Sequence, residues 1–213
     1  MMVQPPVNAV TQFSKRIFDL LLASLGLLIT LPLFPLIALA IKLDSPGPVF
    51  FRQMRVGRAH ADRIDLFEMI KFRTMVADAE ALSGAVWAKK RDPRITRIGN
   101  LLRKSRLDEL PQFFNVLRGE MSMIGPRPER PGFYKKLEDA IPYFTERTYG
   151  VTPGITGLAQ VNQGYDTSIS DVRSKLGYDL SYSLALNRPL SWLRMDLKIA
   201  IQTVSTMLNG RGQ

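Results

Sequence analysis

From Leu20 to Ile41 the chain carries no charged residue. Those 22 residues exceed the ~18–20 that a membrane-crossing helix requires. Such a segment crosses a bilayer, enters and turns back, or hides as a core helix. A secretory signal fits poorly, because the run is too long and no small-residue cleavage site follows it. Lys15 and Arg16 precede the run, and Lys42, Arg52, Arg55 and Arg58 follow it. Positive flanks stay on the cytoplasmic face, so a straight crossing breaks that rule on one side. Pro32 lacks an N–H and clashes with the preceding turn, which bends or breaks a helix there. Gly26 weakens the same helix. A helix that enters, breaks near Pro32 and returns keeps both flanks on one side, provided its interrupted backbone finds partners. The residues favour this re-entrant reading and leave a kinked span and a buried core helix open.

The 213 residues suffice for one membrane segment plus one compact domain. Residues 1–12 read as a loose N-terminus, 13–43 as a membrane helix–break–helix, and 44–213 as a cytoplasmic domain. "DSPGP" at 44–48 is turn chemistry that closes the membrane segment. "VFFRQ" and "DLFEMIKF" read as short strands around a loop containing Gly57. After them helical spacing dominates. Ile95, Ile98, Leu101 and Leu102 form one face, and Phe113, Phe114 and Leu117 another. Leu193, Leu197, Ile201, Val204 and Leu208 recur at threes and fours. That stripe reads as core packing, with a helix lying on the membrane, Trp192 and Met195 in the interface, as the alternative. The fold class expected is mainly α with a small β-hairpin.

Lys and Arg number 29 against 19 Asp and Glu, a formal charge of +10. That balance calls for an anionic partner: nucleic acid, anionic lipid or a phosphorylated substrate. The absence of cysteine excludes disulfides, thiol nucleophiles and Cys-based zinc sites. The single histidine, His60, lies in a polar stretch and reads as a solvated loop residue. Acid–base or nucleophilic chemistry therefore falls to Asp, Glu, Lys, Ser, Thr or Tyr. Residues 89–106 hold eight basic residues against Asp92, which concentrates +7 of the charge. Nucleic acid is not the expected partner, because the aromatic residues that would stack on bases are missing from this run. A face resting on anionic membrane lipid is the plainer reading.

The next acids are Asp108 and Glu109, in "RLDELPQFFNVL". Pro111 belongs in the first turn of a helix, which puts both carboxylates at its N-terminus. Adjacent residues differ by ~100° around a helix, so the two need not share a role. One could attack or bind metal while the other positions a group; simple capping is the competing account. "GEMSMIGPRPERPGF" follows, with prolines at 126, 128 and 131 that stiffen the loop. Arg127 and Arg130 are held there with little entropy left to lose, which suits bidentate contact with phosphate. A structural turn in which arginine pairs with Glu129 is the alternative.

Together "KRIFDL", "SPGPVFFRQ", "KFRTM", "LLRKSRLDELPQFFNVLRGEMSMIGPRP", "PGITGLAQVN" and "LGYDLSY" resemble the bacterial sugar transferase family, the monotopic phosphoglycosyl transferases. The resemblance runs from Lys15 to about Leu208. It implies transfer of a phosphosugar from a UDP-sugar to a polyprenyl phosphate, usually undecaprenyl phosphate, with release of UMP. It implies a two-step route with magnesium (Mg2+), Asp108 as nucleophile and metal ligand, and Glu109 as its partner. Lys71, Arg73, Arg103, Gln112, Arg127, Pro128, Arg130 and Asp179 are the substrate-binding positions it implies. It also implies a re-entrant helix broken at Pro32, a catalytic domain on the cytoplasmic face of the bacterial inner membrane, and a minimal catalytic form. A homodimer is compatible with it. Where some members place Ser before the proline, this chain has Leu31, so Pro35 or another helix must support the break. Two other classes remain: a non-enzymatic membrane-anchored module binding anionic lipid or nucleic acid, and a soluble nucleotide-sugar hydrolase.

Overall fold

The computed structural model describes residues 7–79, 92–163 and 168–208. The long apolar segment forms helix α1 (Ala9–Thr30), a single 3-10 turn (Leu31–Leu33) and helix α2 (Phe34–Asp44). Helix α1 starts four residues ahead of the boundary at 13 that composition suggests. The reason is local: the Asn8 side chain caps it by accepting from Val10 N. Pro32 sits in the 3-10 turn, where the missing N–H interrupts the α-helical ladder. One turn earlier the Thr30 hydroxyl donates to the Gly26 carbonyl at 2.7 Å. Thus a hydroxyl does support the break, from position 30 rather than 31, and such back-bonding bends helices.

Helix α1 is not apolar all round. Thr11, Lys15, Asp19, Ala23 and Leu27 recur at every fourth residue, and all are buried. This stripe docks on the rest of the molecule. Lys15 Nζ meets Asp196 at 2.9 Å, Arg16 donates to the Val116 and Leu117 carbonyls, and Asp19 accepts from Ser122 Oγ and Met123 N. At Gly26 a Cβ would stand 2.7 Å from the Phe113 ring, so glycine here sets a close approach rather than a weakness. The far end is anchored too: Asp44 accepts from Ile98 N. The outward faces, Leu21, Leu28, Ile29, Leu36, Leu39 and Leu43 among them, are exposed and apolar.

Strands β1 (Phe50–Ala59) and β2 (Ile64–Phe72) form the expected antiparallel hairpin. Gly57 lies inside β1, at a bulge between Val56 and Ala59; the turn itself is closed by His60 N donating to Arg63 O. Then come α3 (Arg97–Ser105), a 3-10 turn (Leu107–Glu109), α4 (Gln112–Arg118) and strand β3 (Ser122–Ile124). Helix α5 (Pro131–Ala140) and a 3-10 turn (Phe144–Thr148) cross over to β4 (Gly154–Thr156), which pairs in parallel with β3. Helices α6 (Leu158–Asn162), α7 (Ile169–Ala185) and α8 (Pro189–Leu208) complete the chain.

Two helical faces depart from their periodicity. On α3 Leu102 is buried, but Leu101 is 61% exposed, because adjacent residues cannot both face one narrow contact. On α8 the expected core stripe is the outer surface: Leu193, Leu197, Ile201 and Val204 are all exposed. The buried side is Trp192 and Ile199 instead, with Met195 packed on the same cluster. Period alone identifies a face without saying which way it points.

Helix α3 approaches the exit of β2 through Gly99, where a Cβ would collide with the Thr74 carbonyl oxygen. Gly99→Ala should therefore cost about 1–3 kcal/mol in chemical denaturation, since the backbone opposite must move. Wild-type stability in that variant would mean that α3 is free to shift.

Candidate active site

The two acids do not lie in the first turn of α4. They occupy their own 3-10 turn, Leu107–Glu109, between α3 and α4. Arg106, in the left-handed region at φ 59°, makes the corner that turns the chain inward. Asp108 and Glu109 are both buried, at 7% and 8% exposure. Sequence reasoning had α4 dock them at its N-terminus; the burial comes instead from packing between β2 and the loop after β3.

Glu109 is the centre of a cation cluster. Its Oε1 lies 2.8 Å from Lys71 Nζ, 3.7 Å from Arg106 Nη1 and 3.8 Å from Arg127 Nη1. Burial acts to raise this carboxyl, yet Lys71, Arg127 and Arg106 hold it down at about 2. Glu109 is therefore a fixed anion. Burial acts the other way on Lys71 and pulls it below the usual lysine range, against the attraction of Glu109.

Asp108 behaves differently. Burial pushes its carboxyl up, opposed by Lys71, reinforced by Glu109, and opposed again by Arg103 and Arg106. Among the described residues, its buried Oδ1 has no hydrogen-bond partner. A buried carboxylate oxygen without a partner is costly unless a ligand completes it. Neighbouring acids thus have distinct environments: Glu109 is saturated by cations, and Asp108 keeps an oxygen open. The helix-dipole argument for Asp108 gives way to burial within a field of cations.

Arg103 reaches the cluster from α3, its Nε donating to Thr74 Oγ1 at 2.9 Å. Gln112, 2% exposed, opens α4 with a buried Nε2 that has no partner among the described residues. Arg127 enters from the proline loop. Pro128 offers its carbonyl to Arg55 at 3.0 Å, and Arg130 stands before α5 with its guanidinium 6.0 Å from the Phe133 ring. Two expected positions lie apart. Arg73 is spent on the turn after α2, donating to the Ser45 carbonyl at 2.7 Å and to that of Pro46. Asp179 is buried at 3% exposure and pairs with Arg147 Nε at 2.8 Å. The basic residues 89–91 lie outside the described residues. His60 faces Asp65 at the hairpin tip, away from the acids.

Arg106 and Arg147 escaped the sequence reading. Arg106 stood in plain view three residues before Glu109. Arg147 had no motif around it, and nothing in the sequence connects it to residues 127, 129 and 179.

Residues 10–210 match the family model for bacterial sugar transferases. The chain belongs to the bacterial sugar transferase family. It is 44% identical over 200 residues to a UDP-N-acetylgalactosamine-undecaprenyl-phosphate N-acetylgalactosaminephosphotransferase of Aeromonas hydrophila, covering 94% of this chain and 45% of that protein. It is 41% identical over 211 residues to an undecaprenyl-phosphate glucose phosphotransferase of Komagataeibacter xylinus, covering 97% and 38%. It is also 38% identical over 204 residues to the exopolysaccharide production protein PSS of Rhizobium leguminosarum bv. phaseoli, covering 93% and 97%. The chain thus spans less than half the length of the first two relatives and nearly all of the third.

The Glu109 cluster has a direct stability test. Lys71→Met leaves the buried carboxylate with only the more distant arginines, and should cost on the order of 3 kcal/mol in urea unfolding. Adding Glu109→Gln should recover part of that loss, because no anion then remains to compensate. Equal destabilisation by the single and double variants would show that the two side chains are not coupled.

Proposed function

We propose that this protein transfers a phosphosugar from a UDP-sugar to a polyprenyl phosphate, releasing UMP, through a covalent intermediate on Asp108. The relatives named for undecaprenyl-phosphate sugar transfer support the reaction class. The observation that carries the mechanism is the buried Asp108 Oδ1, without a partner, set among Lys71, Arg103 and Arg106. A carboxylate oxygen attacks the phosphorus bonded to the sugar, and the bond from that phosphorus to the bridging oxygen breaks. UMP leaves with the bond's electron pair. A phosphate oxygen of the polyprenyl acceptor then attacks the same phosphorus, and the acyl-phosphate bond breaks to restore Asp108. Donor and acceptor phosphates never occupy the site together, which avoids packing several anions at once.

Lys71, Arg103, Arg106 and Arg127 give charge stabilisation where phosphate oxygens gather. Glu109 holds three of those cations in place through ion pairs. Among the described residues no group of three or more His, Asp or Glu side chains could cage a metal. One open carboxylate oxygen still fits magnesium, which takes one or two carboxylates and fills its shell with water and substrate phosphate. Asp108 would hold it, and it would neutralise charge on the diphosphate.

The membrane reading rests on anchoring. The start of α1, through Arg16 and Asp19, and the end of α2, through Asp44, both bind one compact domain. Two ends tied to one domain support a helix–break–helix that enters the bilayer and returns to the same side. The outward stripe of α8 is apolar beside the exposed Arg194 and Lys198, the pattern of a helix resting on anionic headgroups. A shallow element of this kind keeps the acids near the headgroups, where a polyprenyl phosphate presents its own phosphate. The expected location is the cytoplasmic face of the bacterial inner membrane. A nucleic-acid module accounts for the net charge alone, whereas here the cations converge on buried carboxylates.

Incubation with a panel of UDP-sugars, magnesium and undecaprenyl phosphate should release UMP for one or a few sugars. With the lipid omitted, intact-protein mass should rise by one phosphosugar and stay unchanged in Asp108→Asn. Sequential kinetics without an adduct under rapid quenching would remove the covalent route. For topology, the cysteine-free chain permits Gln4→Cys and Asp62→Cys as single reporters. Both should resist an impermeant thiol reagent in intact cells, and labelling of only one would rule out re-entry.

A further inference from the structure

Away from the acids, Asp179 and Arg147 form a deeply buried ion pair, with side chains 4% and 5% exposed. Arg147 directs its planar fork to three groups on two segments, α7 and the proline loop. Its Nε donates to Asp179 Oδ2 in α7 at 2.8 Å, one terminal nitrogen donates to the Arg127 carbonyl at 2.8 Å, and the other lies 3.5 Å from Glu129 Oε1. The Phe144 ring closes one side, 5.1 Å from the guanidinium.

The target of this arrangement is the proline loop. Four consecutive carbonyls are held: Pro126 by Gly154 N at 2.9 Å, Arg127 by Arg147, Pro128 by Arg55 at 3.0 Å, and Glu129 by Val56 N at 2.8 Å. Proline fixes φ at 126 and 128, so holding the carbonyls between them fixes the remaining backbone freedom of Arg127. The Arg127 side chain leaves this clamped backbone toward Glu109, 3.8 Å away. A guanidinium held in place reaches an incoming phosphate without first losing rotamer freedom.

We infer that Arg147, anchored by Asp179, is a positioning residue for Arg127: it fixes the peptide after Arg127 and so aims that guanidinium at the acid cluster, and Asp179 acts only through it. The inference rests on the reading above, in which Arg127 meets the donor diphosphate. It reassigns Asp179, which the family resemblance puts among substrate contacts, to support of the loop from behind.

The test compares Arg147→Lys, Arg127→Lys, the double variant, and Asp179→Asn and Asp179→Ala with and without Arg127→Lys. UMP release gives kcat and KM for the UDP-sugar, and thermal melting checks folding. An ammonium cannot reproduce the fork that holds all three partners at once, so Arg147→Lys should lower kcat/KM about tenfold with a small change in melting temperature. In the Arg127→Lys background the same change should cost no more than about twofold, because residues acting as one unit are not additive. Asp179→Ala should follow the same pattern, and Asp179→Asn, which keeps an acceptor oxygen for Nε–H, should recover part of the rate. Losses that multiply would mean that Arg147 or Asp179 works independently of Arg127, and would overturn the inference. Wild-type kinetics in Arg127→Lys alone would instead overturn the phosphate role of the loop. The positioning claim is then read from amide exchange: Arg147→Lys should speed exchange by about tenfold at Val56 and Gly154, whose N–H groups hold the Glu129 and Pro126 carbonyls, and leave the helix α4 amides unchanged. No change at those two amides would refute it.

Discussion

Glu109 is the ion on which the site depends. A carboxylate buried to this extent loses hydration worth several kcal/mol, and only close cations can offset it. Three do: Lys71 from β2, Arg106 from the corner after α3, and Arg127 from the proline loop. The same contacts hold the hairpin, the α3–α4 corner and the loop in register with one another. A permanently buried anion thus fixes a cation field around the neighbouring Asp108.

Asp108 is defined by contrast with this neighbour. Its backbone enters the same short 3-10 turn, and its carboxyl is buried almost as deeply. Yet the cation contacts fall to Glu109, and Asp108 Oδ1 is left without a partner among the described residues. One residue step around a tight turn separates the two environments. This is how two adjacent acids with nearly the same intrinsic chemistry come to suit different roles.

The apolar helix–break–helix is tied to the same site by a different route. A wholly apolar helix would have no directional contact to fix its angle to the domain. Here Lys15, Arg16 and Asp19, spaced along α1 ahead of the uncharged run, dock it on α4, β3 and α8. Asp196 on α8 gathers Lys15, Tyr182 and the Trp192 indole into one part-buried network. Polar groups on an otherwise apolar helix thereby fix its angle to the domain, because each must be satisfied or pay for its burial. The exposed stripe of α8 and the outer faces of α1 and α2 lie on elements joined through that network.

Much of this was written in the chain itself. The uncharged run, the breaking proline, the hairpin and the mainly helical character follow from composition and periodicity, because those signals are local. The adjacency of Asp108 and Glu109 to a basic run is equally local, and so is the stiffness of a loop with prolines at 126, 128 and 131. What the sequence did not determine depends on contacts between distant residues. The α8 stripe has the right period but points outward, since a helix pattern carries no information about which side its neighbours occupy. Arg73 turned to the Ser45 carbonyl rather than to the acids, although it lies two residues from Lys71. Asp179 was taken by Arg147, 32 residues away. Which acid is saturated and which stays open was decided only when β2, the corner at Arg106 and the proline loop met in space, because ion-pair energies fall with distance and distance is a property of the fold.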